Sequence, residues 1–130
     1  MIVKKIMIDD KQIKFGVSAR TPRLYKEKFA REVMYDMASF SNDCQKAIKD
    51  EGVDDAKQLS SGAMITIVSN HSAMFENLAY IMAKQADPEI TEDVEEWLDQ
   101  FSPFAVVGAF PMLLDMWEMN KKGMSVPKKK

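Results

Sequence analysis

The most regular pattern in the chain is an apolar stripe within residues 61–88. Its positions recur in alternating steps of four and three, the spacing that keeps side chains on one face of an α-helix. They are Met64, Val68, His71, Phe75, Leu78 and Met82. Asp87-Pro88 closes the stripe, because a proline disfavours helical geometry in the residue before it. The pattern predicts one long central helix over residues 61–88, with the other elements packed around it.

The N-terminal segment alternates apolar and polar positions with the period of a β-strand. Two such runs, residues 2–8 and 12–17, flank the polar turn Asp9-Asp10-Lys11. We therefore predict a β-hairpin that leans on the helices, since an isolated hairpin is marginal in water. Its free edge is open to pairing with a partner or with a second copy of the chain.

A Thr-Pro pair and a Ser-Pro pair predict the starts of two further helices. Thr and Ser cap free backbone N–H groups, and Pro at the first helical position loses no hydrogen bond. Thr21-Pro22 opens a helix that runs to about Phe40, and Ser102-Pro103 opens one over residues 104–120. Pro111 falls inside the second helix, where it predicts a kink or a break.

Weaker patterns fill the remaining segments. Residues 42–50 predict a short helix that ends at Gly52, and residues 53–62 predict a loop with room for one helical turn. Thr91 is expected to cap a short acidic helix, whose first turns carry the negative charge that a helix N-terminus favours. Together the elements predict a mainly α fold with a small N-terminal β-hairpin, in the α+β class.

Composition predicts one domain over residues 1–120, followed by a disordered basic tail over residues 121–130. The hydrophobic fraction of 46% is sufficient for a core, and no run approaches the roughly 18 apolar residues of a membrane span. The single Cys44 cannot form an internal disulfide, so nothing in the sequence requires an oxidising compartment. We expect a cytoplasmic protein that does not contact membranes.

Charge is distributed unevenly along the chain. Residues 1–50 carry 11 Lys and Arg against 7 Asp and Glu, residues 51–99 carry 2 against 11, and residues 100–130 carry 5 against 2. Because nucleic-acid phosphates attract a clustered positive surface, the acidic middle argues against nucleic-acid binding. The segregation predicts head-to-tail association of copies in a homo-oligomer, although a solvated acidic surface explains the same pattern.

No pattern of residues predicts catalysis. A Cys44 nucleophile would need His71 as its base and a third group to orient that base, and the two residues fall on different predicted helices. His71 fits a hydrogen-bonded core or interface histidine, with Asn70 as a candidate partner. The acidic residues within 92–99 lack the loop spacing and the glycine of a calcium site. We expect a protein without enzymatic activity, without a metal and without a cofactor.

Methionine is unusually frequent, with 11 in 130 residues. Methionine suits surfaces that adapt to irregular partners, although it also fills cores. The last predicted helix is apolar on more than one side, and a kink makes the burial of every side difficult, so we predict a partner-binding surface there. Its predicted residues are Phe104, Phe110, Met112, Met116, Trp117 and Met119. The next candidate is the basic first helix around Arg23 and Arg31.

Several runs of residues resemble, in the same order, the tail assembly chaperones of long-tailed bacteriophages and prophages. The first runs are Thr21-Pro22-Arg23-Leu24-Tyr25 and Lys28-Phe29-Ala30-Arg31-Glu32. The later runs are Phe75-Glu76-Asn77-Leu78-Ala79-Tyr80, Met82-Ala83-Lys84-Gln85-Ala86-Asp87-Pro88 and Glu96-Trp97-Leu98-Asp99-Gln100-Phe101, followed by Pro111 with Leu113, Leu114 and Trp117. Two features depart from that family. Ala30 and Glu32 stand where it usually has Gly and Asp, and the segment 104–110 is more apolar.

The resemblance covers residues 13–120 and implies a non-enzymatic role in the host cytoplasm. Members of the family coat the long, aggregation-prone tape measure protein, recruit tail tube subunits and leave before the tail matures. The resemblance therefore implies these two proteins as partners and absence from the mature virion. It also implies a longer form made by ribosomal frameshifting. The alternative left open by the sequence is a small helical regulatory adaptor that binds a folded cytoplasmic protein.

Overall fold

The structure is a computed structural model that describes the backbone of residues 1–124 and the side chains of residues 1–118. An antiparallel two-stranded hairpin precedes a mostly helical chain, which confirms the predicted α+β class. The elements are β1 (Ile2–Ile8), β2 (Lys11–Val17), α1 (Thr21–Phe29), α2 (Val33–Glu51), α3 (Ser61–Asn70), α4 (Ser72–Ala86), α5 (Val94–Leu98), α6 (Ala105–Gly108) and α7 (Phe110–Met124). The loop between α2 and α3 contains the predicted single turn, a 3₁₀ helix at Ala56–Gln58. No helix in the described range is long and apolar enough to cross a membrane.

The hairpin forms where the alternating pattern predicts it. Its buried apolar side chains are Ile6, Ile8, Phe15 and Val17. Ile8 pairs with Lys11, which leaves a two-residue turn in which Asp9 adopts a φ of 57°, a conformation that Asp tolerates better than most residues. β2 packs against α4. A Cβ on Gly16 would lie 2.8 Å from the Sδ of Met1, so a larger residue there would displace the Met1 side chain.

The predicted single helix over residues 61–88 is wrong in one respect, because it is divided at His71 into α3 and α4. His71 has φ −121° and ψ 12°, outside helical geometry. Its Nε2 lies 2.6 Å from Oδ2 of Asp43, and its ring meets the edge of Phe40 at a centroid distance of 5.5 Å. Both partners lie on α2, so contacts with α2 hold the residue at which the helix breaks. The side chain that contacts the His71 ring nitrogen is therefore Asp43 and not the predicted Asn70.

The first predicted helix, from Thr21 to about Phe40, is also divided, and the helix predicted over residues 42–50 is not separate. α1 ends at Ala30, which has a left-handed φ of 58° and whose N–H donates to the carbonyl of Lys26 at 2.8 Å. α2 then runs unbroken to the left-handed Gly52, which ends it as predicted. No Gly or Pro marks the break at Ala30, so the local sequence does not indicate it.

The predicted last helix is likewise two helices. α6 ends at Ala109, and α7 begins at Phe110, so Pro111 lies in the first turn of α7. Pro is compatible with a first turn because the N–H it lacks would have no partner there. The chain therefore breaks just before Pro111, and α7 itself continues to Met124, four residues beyond the predicted end. Residues 121–124 of the predicted tail are thus helical, and residues 125–130 lie outside the described residues.

The short acidic helix α5 forms as predicted but has a different cap. The carboxylate of Asp93 accepts the N–H groups of Glu95 and Glu96 at 3.0 and 3.3 Å. Thr91 instead accepts the N–H of Asp93 at 3.1 Å and supports the cap from two residues earlier. α5 brings the buried Trp97 against Tyr80 of α4, at a ring-centroid distance of 5.7 Å.

The core consists of one large and one small cluster of buried side chains. α4 contributes eight buried residues to the large cluster and packs against the hairpin, α1, α5, α6 and α7, so it is the central helix. The small cluster has three buried residues, Cys44, Leu59 and Ile67, and lies between α2 and α3. The two clusters share the partly buried Phe40 at their border.

Candidate functional site

The predicted partner surface on the last helix is not one surface. Phe104 and Met112 are 76% and 48% exposed. Phe110, Met116 and Trp117 are buried in the large cluster, and the side chain of Met119 lies outside the described side chains. The reason is the position of Pro111 in the first turn of α7, which leaves the helix unkinked. α7 therefore packs one continuous face against α4 and the hairpin.

The two arginines predicted as the next candidate have different environments. The Nε and Nη2 atoms of Arg31 donate to the carboxylate of Asp36 at 2.9 and 2.6 Å, and the hydroxyl of Tyr25 donates to the same carboxylate at 3.0 Å. The hydrogen bonds from Arg31 are the main cause of the lowered pKa of Asp36, and burial is the main cause of the raised pKa of Tyr25. This network joins α1 to α2, so Arg31 has a structural role. Arg23 is exposed.

An apolar groove lies between α2 and α7. Its cavity measures about 440 Å³, and its wall carries mainly apolar side chains. The lining residues are Met34, Met37, Ala38, Phe40, Ser41, Cys44, Leu114, Trp117 and Glu118. Met34 at the rim is 50% exposed, and the neighbouring Tyr35 is 73% exposed. The groove therefore presents apolar side chains to solvent on a surface bounded by two helices.

The spacing of residues on α2 explains why the groove forms. Met34, Met37, Ser41 and Cys44 recur in steps of three and four and share one face of the helix. The middle of that face carries the small residues Ala38 and Ser41, both exposed, with larger side chains on either side. Small residues between large ones leave a concave surface that a partner side chain can enter. The two methionines can change rotamer to fit that side chain.

Cys44, at the end of the groove, has the surroundings of a structural thiol. Burial raises its pKa, so the thiol stays protonated at neutral pH. His71 directs its Nε2 to Asp43, at 2.6 Å, and is thereby engaged with a different group. Among the described side chains, no three His, Cys, Asp or Glu residues cluster as a metal site.

Sequence reasoning placed Trp117 in the candidate surface but missed the contribution of α2. The predicted break near Phe40 divided α2 into two helices, and this hid the common face of Met34, Met37 and Cys44. A continuous helical reading of residues 33–51 would have revealed a stripe with small residues at its centre. No protein-family model, curated protein or solved structure matches this chain.

Proposed function

We propose that the protein is a tail assembly chaperone of a long-tailed phage or prophage, which holds the tape measure protein and helps to recruit tail tube subunits. The observation that carries this proposal is the solvent-accessible apolar groove between α2 and α7. Its volume of about 440 Å³ falls within the roughly 300 to 1,000 Å³ of typical binding pockets. The sequence runs that resemble the tail assembly chaperones support the same role.

The groove suits a client with apolar side chains in an amphipathic segment. Met34 and Leu114 line the walls, and the almost fully buried Trp117 contributes only a small part of its ring to the lining. Helical clients dock in such grooves through apolar residues spaced by three and four positions, and methionine-rich walls adapt to clients of different sequence. A chaperone that coats a long protein at many places must bind segments of different sequence.

The proposal includes a place and time of action. The protein works in the host cytoplasm, without a cofactor and without contact with nucleic acid, and it leaves before the virion matures. The predicted regulatory adaptor would use the same groove, but it would bind a partner that is already folded.

Co-expression with the tape measure protein of the same phage or prophage tests the proposal. Wild type should keep the tape measure protein soluble, whereas an adaptor for folded proteins should not. Ser41→Glu should abolish this effect, because it places a charge in the groove at an exposed position. Ser39→Glu is the matched control, since Ser39 is also an exposed serine of α2 but does not line the groove. The proposal would be contradicted if both variants lost the solubilising activity equally, or if wild type did not keep the tape measure protein soluble.

We also propose that copies of the chain associate. β1 forms backbone ladder bonds only with β2 among the described residues, so its outer edge is open beside the exposed Lys4 and Lys5. The exposed carboxylates around α5 have the opposite charge. Salt weakens charge-driven contacts, as the Debye length falls from about 10 Å at 0.1 M to about 3 Å at 1 M. Light scattering should show larger species at the lower salt concentration. A monomer at both salt concentrations would contradict the proposed association.

A further inference from the structure

A second cavity, of about 210 Å³, lies away from the groove. It is bounded by α4, by the end of α5 and by the segment that leads into α6. Two carboxylates, from Glu76 and Asp99, and two aromatic rings, from Phe101 and Phe104, line it together with Pro103. Among the side chains that the structure describes, no Lys, Arg or His lines it. The cavity therefore combines aromatic surface with negative charge.

Phe104 is held in the cavity wall by a strained backbone. Its φ of 66° lies in the left-handed region, which is rare and unfavourable for a bulky residue. The carbonyl of Phe104 accepts the N–H of Gly108 at 2.8 Å, and the carbonyl of Ser102 accepts the N–H of Ala105 at 3.1 Å.

The segment before Phe104 is also fixed to the hairpin. The carboxylate of Asp9 accepts both the N–H and the hydroxyl of Ser102, at 2.8 and 2.7 Å. These bonds hold the segment that carries the strained residue, yet the Phe104 side chain is 76% exposed. The fold thus fixes an aromatic ring in solvent, where it contributes little to the core.

Glu76 differs from the other partly buried carboxylates of the described chain. Asp36 accepts hydrogen bonds from Arg31, Asp43 contacts His71, and Asp87 accepts the N–H of Glu89. Glu76 has no hydrogen bond or ion pair with any described residue, and burial raises its pKa. Its carboxylate oxygens reach solvent, so they are available to accept hydrogen bonds from a group that enters the cavity.

We propose that this cavity binds the guanidinium group of an arginine presented by a partner protein. Glu76 would accept its N–H groups, the Phe104 and Phe101 rings would pack against its plane, and Asp99 would add negative charge at the rim. A planar guanidinium forms paired hydrogen bonds with a carboxylate and stacks on aromatic rings, whereas a lysine ammonium does neither as well. This preference favours a partner's arginine over the lysines at the C-terminus of this chain. The inference holds whether or not the partner is a tape measure protein.

The test uses the full chain and N-acetylarginine amide as the probe, with N-acetylcitrulline amide as its neutral isostere. NMR would follow the carboxyl carbon of Glu76 and the ring of Phe104 during titration. The arginine probe should cause saturable shifts at both residues, with half-saturation on the order of 1 to 10 mM, the range of a single side chain. The citrulline probe should bind about fivefold or more weakly, because it lacks the charge.

Three variants identify the groups that recognise the probe. Glu76→Gln should abolish the preference for arginine over citrulline, whereas Glu89→Gln, at an exposed carboxylate outside the cavity, should retain it. Phe104→Gly should weaken binding of the arginine probe about threefold or more while keeping or raising the thermal stability, because Gly relieves the left-handed strain. If Phe104 only supported the fold, Phe104→Gly would instead lower probe binding and thermal stability together.

Three results would overturn the proposal. The first is equal binding of arginine and citrulline by wild type, or no binding of either. The second is a preference for arginine that survives Glu76→Gln. The third is binding that appears only after deletion of residues 125–130, since the cavity would then be occupied by the chain's own tail. None of these results bears on whether the groove between α2 and α7 holds a client, so the two proposals fail separately.

Discussion

α3 and α4 continue a single apolar stripe in the sequence, yet they are buried to very different extents. Eight of the fifteen residues of α4 are buried, against one of the ten residues of α3. α4 meets the hairpin and five helices besides α3, namely α1, α2, α5, α6 and α7, whereas α3 packs against α2 and α4. Apolar periodicity therefore predicts which side chains face inward, but it does not predict how many other elements pack against that face.

The depth of burial has energetic consequences. Burial of apolar surface is worth roughly 25 cal/mol for each Å² removed from water, so the large cluster around α4 supplies most of the folding free energy. The small cluster of Cys44, Leu59 and Ile67 supplies much less. We therefore expect α3 to open locally at a lower free energy than α4. The following variants test this difference, from the largest expected effect to the smallest.

Truncation of a buried residue in each helix should give the largest effect. Leu78 of α4 is 1% exposed in the large cluster, so Leu78→Ala should lower the free energy of unfolding by about 4 kcal/mol. Ile67 of α3 is 6% exposed beside partly buried neighbours, so Ile67→Ala should cost about 2 kcal/mol. Urea denaturation followed by circular dichroism measures both values. A cost for Ile67→Ala as large as that for Leu78→Ala would contradict the division into a large and a small cluster.

Asp36, which accepts hydrogen bonds from Tyr25 of α1 and from Arg31, should give the next effect, and this effect should depend on pH. Its pKa is lowered chiefly by hydrogen bonds from Arg31, so folding favours its ionised form. The resulting stability is fully present above the unfolded pKa near 3.8, and it is lost as the pH falls through the lower folded pKa. In this range the unfolded chain binds more protons than the folded chain.

Asp36→Asn removes this ionisable group. At neutral pH it should lower the free energy of unfolding by about 2 kcal/mol, the size of a hydrogen bond to a charged group. Below pH 4 the difference between wild type and variant should shrink. Asp54→Asn is the control, because Asp54 is exposed in the loop before α3, and it should change little at either pH. Denaturation at a series of pH values gives the measurement, and a cost that does not vary with pH would contradict the role of the Arg31 contact.

The hairpin shows where sequence patterns are sufficient to predict structure. The two strands and the turn at Asp9-Asp10 follow directly from alternation, because one face of the hairpin packs on α4 and the core below it. The breaks at Ala30 and His71 could not be predicted in this way. Each is accompanied by contacts between separate elements, such as the bond from Tyr25 to Asp36, and helical periodicity continues across both breaks.

The candidate groove shows a second limit of sequence reasoning. The apolar character of the last helix is evident from its residues, but which side is buried depends on where α7 packs. Met116 is buried and Met112 is exposed although both fit the same predicted surface. Small residues such as Ala38 do not by themselves indicate a groove, because the groove forms only where α2 and α7 lie beside each other.

The contact between His71 and Asp43 should contribute a smaller effect that is local to α3. Asp43→Ala removes the 2.6 Å contact that ties the junction of α3 and α4 to α2. The variant should lose about 1 kcal/mol, and amide exchange in α3 should accelerate about fivefold while exchange in the buried part of α4 changes less. Asn42→Ala is the neighbouring control at an exposed position of α2. If exchange accelerates equally in α3 and α4, the two helices open as one unit and the comparison fails.

Two left-handed helix ends, one on each side of the comparison, should give the smallest effects. Ala30 ends α1, which packs against α4, and Gly52 ends α2, against which α3 packs, with φ values of 58° and 68°. A residue with a Cβ pays roughly 1 to 2 kcal/mol for this conformation, while a glycine adds roughly 0.4 to 1 kcal/mol of entropy to the unfolded chain. Ala30→Gly should therefore stabilise the protein by about 0.5 kcal/mol, and Gly52→Ala should destabilise it by a similar or slightly larger amount. Thermal denaturation would show a small rise and a small fall in Tm. If Ala30→Gly instead lowers stability by about 1 kcal/mol, the cost of Gly in a regular helix, then α1 continues through Ala30 and the break lies elsewhere.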